Sequence, residues 1–212
     1  MRPISFIWGN YTAAVANSIA LTQTPLAAGD LTLAGALAVG GIATLTVSGQ
    51  VTITSAGNDS GKTFTIYGTS NSGSIISEAI AGGNVAAVTS VLSYKTITRI
   101  AVSAATAAAV TAGNAQSGNT DWIPLDLYVP NQVTNISASV TGTINYTVQY
   151  TNEDPWDNTL AQQVVPLSVA ALVGATTSQT SGLNQTLMRA VRFKVNSGSG
   201  SARVTIVQSS NI

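Results

Sequence analysis

The sequence predicts an all-β protein, an antiparallel β-sandwich of jelly-roll-like form with an extended N-terminal arm. Three observations predict it. Short runs alternate apolar residues with Thr or Ser, the period of a half-buried strand. Turn signals rich in Gly, Asn and Ser separate those runs at close intervals. The runs themselves favour β-branched residues, which fit a pleated surface. Many short strands between close turns indicate a sandwich or jelly roll, with helices nearly absent.

Taken in order, residues 1–28 read as an arm that either docks on another partner or packs back on its own domain. Phe6, Ile7, Trp8 and Tyr11 lie ahead of any clear β pattern, and residues 13–20 read as a short helical turn. A first β region covers 29–117. Residues 42–47 and 51–54 alternate apolar positions with Thr across a Ser48-Gly49-Gln50 connection. Residues 63–68 repeat the pattern, a turn at Asn71-Ser72-Gly73 leads to 74–80, and further strands follow at 86–91 and 95–102. Residues 104–115 mix Ala, a helix former, with Thr, Val and Gly, which favour a strand or loop.

A second β region covers 118–212, beginning at the connector Gly118-Asn119-Thr120-Asp121-Trp122-Ile123-Pro124. Strands are expected at 133–140 and 143–151. In the latter Tyr146, Val148 and Tyr150 share one face, opposite Asn145, Thr147, Gln149 and Thr151. Pro155 ends it, because proline cannot continue an interior ladder. Residues 187–195 and 203–208 are expected to close the chain as a hairpin through the glycine-rich 196–201 segment. The two regions form one shared sandwich or two.

Composition narrows the function. The 212 residues are long enough to bury roughly 70% of their unfolded surface. Only 8% are charged, with 8 basic residues balancing 8 acidic ones, against a usual charged share of about 25%. So neutral a chain is poorly protected against association, which suggests a surface covered by partners. Cys and His are both absent, which removes disulfides, thiolate metal sites and the usual neutral-pH proton shuttle. No basic stripe suits nucleic acid: the only local cluster is Arg189, Arg192 and Lys194, read as mostly one solvated strand face, with Ala190, Arg192 and Lys194 opposite Val191, Phe193 and Val195. The longest apolar run, 31–45, is diluted by Gly and Thr and falls short of the ~20 apolar residues of a spanning helix, so no membrane partner is expected.

Several motifs carry possible chemistry. Residues 56–63, Ala-Gly-Asn-Asp-Ser-Gly-Lys-Thr, match a relaxed phosphate-loop spacing. That chemistry needs a helix after the loop to cradle phosphates, and the strand-like Phe64-Thr65-Ile66-Tyr67 follows instead, so a polar turn is expected. Glu153, Asp154 and Asp157 cluster beside Trp156, but lack the alternating spacing and central Gly of a calcium loop. Asp121 and Asp126 flank Trp122, a pattern open to a sugar-binding or sugar-cleaving reading. Without His a Ser-His-Asp triad is excluded. The Asn-X-Ser/Thr sequons at Asn10, Asn58, Asn135, Asn145 and Asn184 follow from an Asn- and Thr-rich composition. No catalytic residue, cofactor or metal ligand is assigned, and the chain is read as no enzyme. The interface candidates are Phe6, Trp8 and Tyr11, since aromatic anchors dominate interface energetics.

The run Gly61-Lys62-Thr63-Phe64-Thr65-Ile66-Tyr67-Gly68-Thr69, leading to Ser77-Glu78-Ala79-Ile80-Ala81-Gly82-Gly83-Asn84 and Tyr94-Lys95-Thr96-Ile97-Thr98-Arg99-Ile100, is similar to small virion structural proteins of tailed bacteriophages. So are residues 147–155, Arg189-Ala190-Val191-Arg192-Phe193 and residues 204–208, a resemblance spanning roughly 50–208 and leaving the arm uncovered. It implies a virion component: a capsid decoration (cement) protein bound to the major capsid protein, or a neck, tail or fibre-base part. It also implies a homo-oligomer, with a trimer as the expectation. A carbohydrate-binding module using Trp122 and Trp156 is the alternative from another class.

Overall fold

A computed structural model of the chain describes residues 3–128, 132–156, 164–184 and 187–210. The fold is all-β and consistent with a β-sandwich. Its only helical element among the described residues is a single turn at Ala170–Leu172. Among the described residues no helix is long and apolar enough to cross a membrane. The chain divides into two compact units: Met1–Asn10 joins Thr120–Ile212 in one, and Tyr11–Asn119 is the other.

Strand β1 (Ile4–Gly9) opens the chain. The Tyr11–Asn119 unit then runs through β2 (Val15–Gln23), β3 (Gly29–Asp30), β4 (Ala38–Val39), β5 (Ile42–Gly49), β6 (Val51–Ser55), β7 (Thr63–Thr69), β8 (Ile75–Ala81), β9 (Ala87–Thr89), β10 (Tyr94–Val102), β11 (Val110–Asn114) and β12 (Gly118–Asn119). One antiparallel sheet has the order β4-β5-β10-β7-β8, with β3 also on β10, and a second has the order β2-β11-β6-β9. Alternation sets what each strand buries. Along β7, Phe64 and Ile66 are buried while Thr63 is exposed and Thr65 half-buried. Ile19, Ile53 and Val110 from one sheet meet Phe64, Tyr94 and Ile97 from the other in a single core, each such side chain contributing about 1.5–3 kcal/mol. Burial, and then the nearby Glu78 charge, raise the Tyr94 hydroxyl pKa above its ordinary value, so it stays neutral and donates to the Ile66 carbonyl.

The expected turn at 71–73 forms the β7–β8 hairpin, with Gly73 at φ +86° and an unbroken register from Thr69↔Ile75 to Thr63↔Ala81. The β5–β6 connection instead crosses between sheets. Gln50 pins it: its amide nitrogen donates to the Ser90 carbonyl, its side-chain oxygen accepts from Ser117, and its backbone bonds Ser117 and Ala115.

The second unit contains β1, β13 (Ile123–Pro124), β14 (Gln132–Thr141), β15 (Asn145–Thr151), β16 (Leu167–Ser168), β17 (Gln179–Asn184), β18 (Ala190–Ser197) and β19 (Ser201–Ser210). One sheet has the order β1-β19-β14-β17; the other carries β18-β15-β16, with β13 also on β18. Ile136, Val204 and Ile206 are buried on the first sheet, and Tyr146, Phe193 and Val195 on the second. Tyr146 and Phe193 stack with ring centroids 5.1 Å apart.

Three local expectations are corrected. Residues 1–28 are not an independent arm: Ile4–Gly9 pairs with β19 and Val15–Gln23 with β11. Residues 13–20 form no helical turn, because pairing to β11 decides the conformation over the propensity of Ala. The final two strands are not a hairpin: β18 pairs with β15, whereas β19 pairs with β14 and β1. Gly198 at φ +107° and Gly200 let the chain jump sheets there. A Cβ on Gly198 would lie 2.5 Å from the Thr143 carbonyl oxygen, and the Gly200 amide donates to that same oxygen at 2.7 Å, so this crossing packs against the one joining β14 to β15. Arg192 and Lys194 do share the outer face of β18, opposite the buried Val191, Phe193 and Val195 as alternation predicts, but both are half-buried there.

Candidate interaction surface

The phosphate-loop-like segment connects β6 to β7, and Thr63 opens a strand, so no helix N-terminus faces the turn. Its two charges are used inside the fold. Asp59 is fully buried, and its Oδ1 accepts from Lys62 Nζ at 2.6 Å and from the Ala107 amide at 2.7 Å. Burial works against the carboxylate charge, but the Ala107 amide and Lys62 outweigh it and hold its pKa below the usual value. Asn58 Oδ1 accepts from the backbone and hydroxyl of Ser60, an Asx turn. The segment is a knot that ties the 56–62 turn to the 103–109 connection.

The acidic turn after β15 is likewise engaged. Glu153 Oε2 accepts from the Val165 amide, Asp154 Oδ1 accepts from the Trp156 amide, and Asp154 Oδ2 pairs with Arg189 Nη2. Asp157 lies outside the described residues. No group of three His, Cys, Asp or Glu side chains is placed to hold a metal ion among the described residues.

The two tryptophans of the sugar-binding reading have different surroundings. Trp122 carries the Arg192 guanidinium 4.6 Å from its ring centre, and Arg192 Nε donates to Gln149 Oε1. Burial lowers the Arg192 pKa to about 10. Arg189 is paired with Asp154, so the two arginines serve separate contacts. Asp126 Oδ1 accepts from the Tyr128 amide, and its backbone exchanges hydrogen bonds with the Gln208 side chain. Trp156 is exposed, beside carboxylates already occupied by backbone amides and Arg189.

The three interface candidates separate. Tyr11 is buried and donates its hydroxyl to the Ser48 carbonyl at 2.9 Å, so it belongs to the core of its own unit. Beside it a cavity of about 20 Å³ lined by Leu37, Leu45 and Asn114 has room for one water. Phe6 and Trp8 lie on β1, opposite the buried Val204 and Ala202 of β19, and remain half-buried. Ile7, on the outer face between them, is 60% exposed.

Composition alone missed the most exposed aliphatic side chains: Ile75 at 90%, Leu26 at 88%, Val39 at 84% and Val85 at 71%. Val85 is also a β-branched residue in the left-handed region, at φ +50°. Its amide donates to the Gly57 carbonyl, which holds the 82–86 turn against the 56–62 turn. The legible signal was position: Leu26 and Val85 sit in connections between strands, and Ile75 begins an outer strand. Compared with protein-family models, curated proteins and solved structures, the chain matches none.

Proposed function

We propose that this chain is a non-enzymatic structural component of a tailed-bacteriophage virion, a capsid decoration subunit that binds the assembled shell and major capsid protein as a homo-oligomer. The observation that carries the reading is the pairing of a charge-poor chain with strongly exposed apolar side chains. Ile75, Leu26, Val39 and Val85 are strongly exposed in a protein with only 8% charged residues. Such positions suit a surface that is covered in use. The sequence resemblance supplies the class of partner. A subunit that binds the assembled shell but not its dissociated parts stabilises it by mass action, about 2.7 kcal/mol at a free concentration 100 times Kd.

Copy number in purified particles, by densitometry against the major capsid protein, tests this. Hundreds of copies are expected. A few to a few dozen would move the protein to the neck, tail or fibre base, and absence would sink the virion reading. Added protein should also raise the heat resistance of particles lacking it, and no gain would sink the cement role.

A further inference from the structure

β-Sandwiches guard their sheet edges, because an open edge pairs with other chains. In this protein the edges differ in how they are guarded. The outer side of β2 accepts amides from Gly35 and Leu37, and its ladder with β11 is irregular. Strands β4 and β16 have two residues each and β9 has three. Strand β17 has a shifted register against β14 and carries Gly182 at φ +68°. Two longer edges keep a regular register, β8 and β1.

Strand β8 is ill suited to pair with itself. A two-fold over its full length sets Glu78 opposite Glu78, and like charges directly opposed are destabilising. Strand β1 has no such obstacle. Ile4–Gly9 contains no Lys, Arg, Asp, Glu or Pro, the usual guards of an edge. The Asn10 amide donates to the Gly200 carbonyl, and antiparallel alternation from that bond aims the backbone groups of Ile4, Phe6 and Trp8 at β19. The groups of Ser5, Ile7 and Gly9 then point outward, where no strand pairs with them among the described residues.

The longest two-fold register that matches those outward groups is centred on Ile7. It sets Ser5 opposite Gly9, Ile7 opposite Ile7 and Phe6 opposite Trp8 in both directions. The Phe6–Trp8 pairs fall at closely spaced positions, about 4.5 Å between Cα atoms, where aromatic pairs are favourable. A two-fold interface needs this property, that a residue and its opposite number exchange roles. Both aromatic side chains are only half-buried in the single chain, and a net charge of zero offers no repulsion between copies.

We propose that the outer edge of β1 is a self-association site, where two copies pair antiparallel about Ile7 and cover Phe6 and Trp8 of both. The inference concerns the free protein and does not rest on the virion reading.

The test is sedimentation velocity of the full chain from about 1 to 100 µM, with Ile7→Lys and Ile7→Pro. Ile7 is exposed and its amide faces outward, so Pro removes a bond of the pair and none to β19. The wild type should dimerise with rising concentration, and each variant should raise the dissociation constant at least tenfold while keeping the wild-type circular dichroism spectrum. The chain has no cysteine, so register can be read separately. Ile7→Cys should cross-link to its twin on oxidation, since the paired Cα atoms lie about 5.5 Å apart. Ser5→Cys, opposite Gly9, should not. A wild type that stays monomeric throughout, variants that associate unchanged, or equal cross-linking at both positions would overturn the proposal.

Discussion

Asp59→Ala should be among the most damaging single changes in the Tyr11–Asn119 unit. The carboxylate is fully buried and serves two partners, the Lys62 ammonium and the Ala107 amide. Removing it leaves the part-buried Ala107 amide without its acceptor, a cost of about 1–3 kcal/mol. It also strips the partner from a largely covered ammonium, for which buried pairs give about 3–5 kcal/mol. The Lys62 side chain keeps 20% exposure and can turn toward water, so the combined loss should fall at about 3–5 kcal/mol rather than at the sum. Asp59→Asn keeps an oxygen for Ala107 and loses only the charge, and should cost about 1–3 kcal/mol.

Urea unfolding followed by far-ultraviolet circular dichroism checks both values. All three tryptophans, Trp8, Trp122 and Trp156, lie in the other unit, so their emission in native buffer tests whether that unit stays folded in the variants. The sign of the pH dependence is fixed as well. The folded pKa of Asp59 lies below its ordinary value of 3.8, so its contribution is complete above that pH and is lost as pH falls through the folded pKa. Below pH 3.8 the wild type should lose stability more steeply than Asp59→Asn. A change under about 0.5 kcal/mol in Asp59→Ala, the size of an ordinary surface substitution, would refute the reasoning.

Two further substitutions probe the backbone. Gly113→Ala places a Cβ 1.8 Å from the Val15 carbonyl oxygen. It should force β2 off β11 and lower the unfolding free energy by at least about 3 kcal/mol, whereas Gly29→Ala, with open space at its Cβ, should change stability by under about 1 kcal/mol in the same assay. Val85→Gly should raise the thermal midpoint, because glycine removes a left-handed cost of about 1–2 kcal/mol and Val85 contributes little burial; an unchanged or lower midpoint would mean that the turn is not strained.

Local pattern made the strands legible and left their partners hidden. Period-two alternation locates β5, β6, β7, β10, β14 and β15, and Asn71-Ser72-Gly73 marks a true hairpin. Alternation in β1 was masked because its outward positions include Ile7, and its partner β19 lies nearly the whole chain away. A glycine-rich link between two strands signals a turn but not whether the chain returns to the same sheet, so the β18–β19 crossing read as a hairpin. The candidate site divides in the same way. Tyr11 and Trp8 look equivalent as aromatic residues, and only tertiary packing buries the first and leaves the second at an edge. The phosphate-loop spacing was legible too, and so was its failing, because β-branched residues follow Lys62 where a helix would be needed.

The few charges of this chain mostly hold its own loops. Lys62 pairs with Asp59, Arg189 with Asp154, and Arg99 with Asp30 while lying over the Tyr67 ring. Arg192 covers Trp122, Lys95 donates to the Thr46 carbonyl, and Glu78 accepts from the amides of Val91 and Leu92. Charges engaged in this way contribute less to the field around the molecule than their number suggests. Association should therefore depend weakly on simple salt, since screening acts on charge pairs that the proposed β1 contact lacks. It should strengthen in sulfate, which favours apolar burial through exclusion from the surface. Sedimentation in sodium chloride from about 0.05 to 1 M, across which the Debye length falls to about 3 Å, is expected to leave the dissociation constant within threefold. A tenfold weakening would mean that unpaired charges, and not the apolar edge at Phe6, Ile7 and Trp8, hold the copies together.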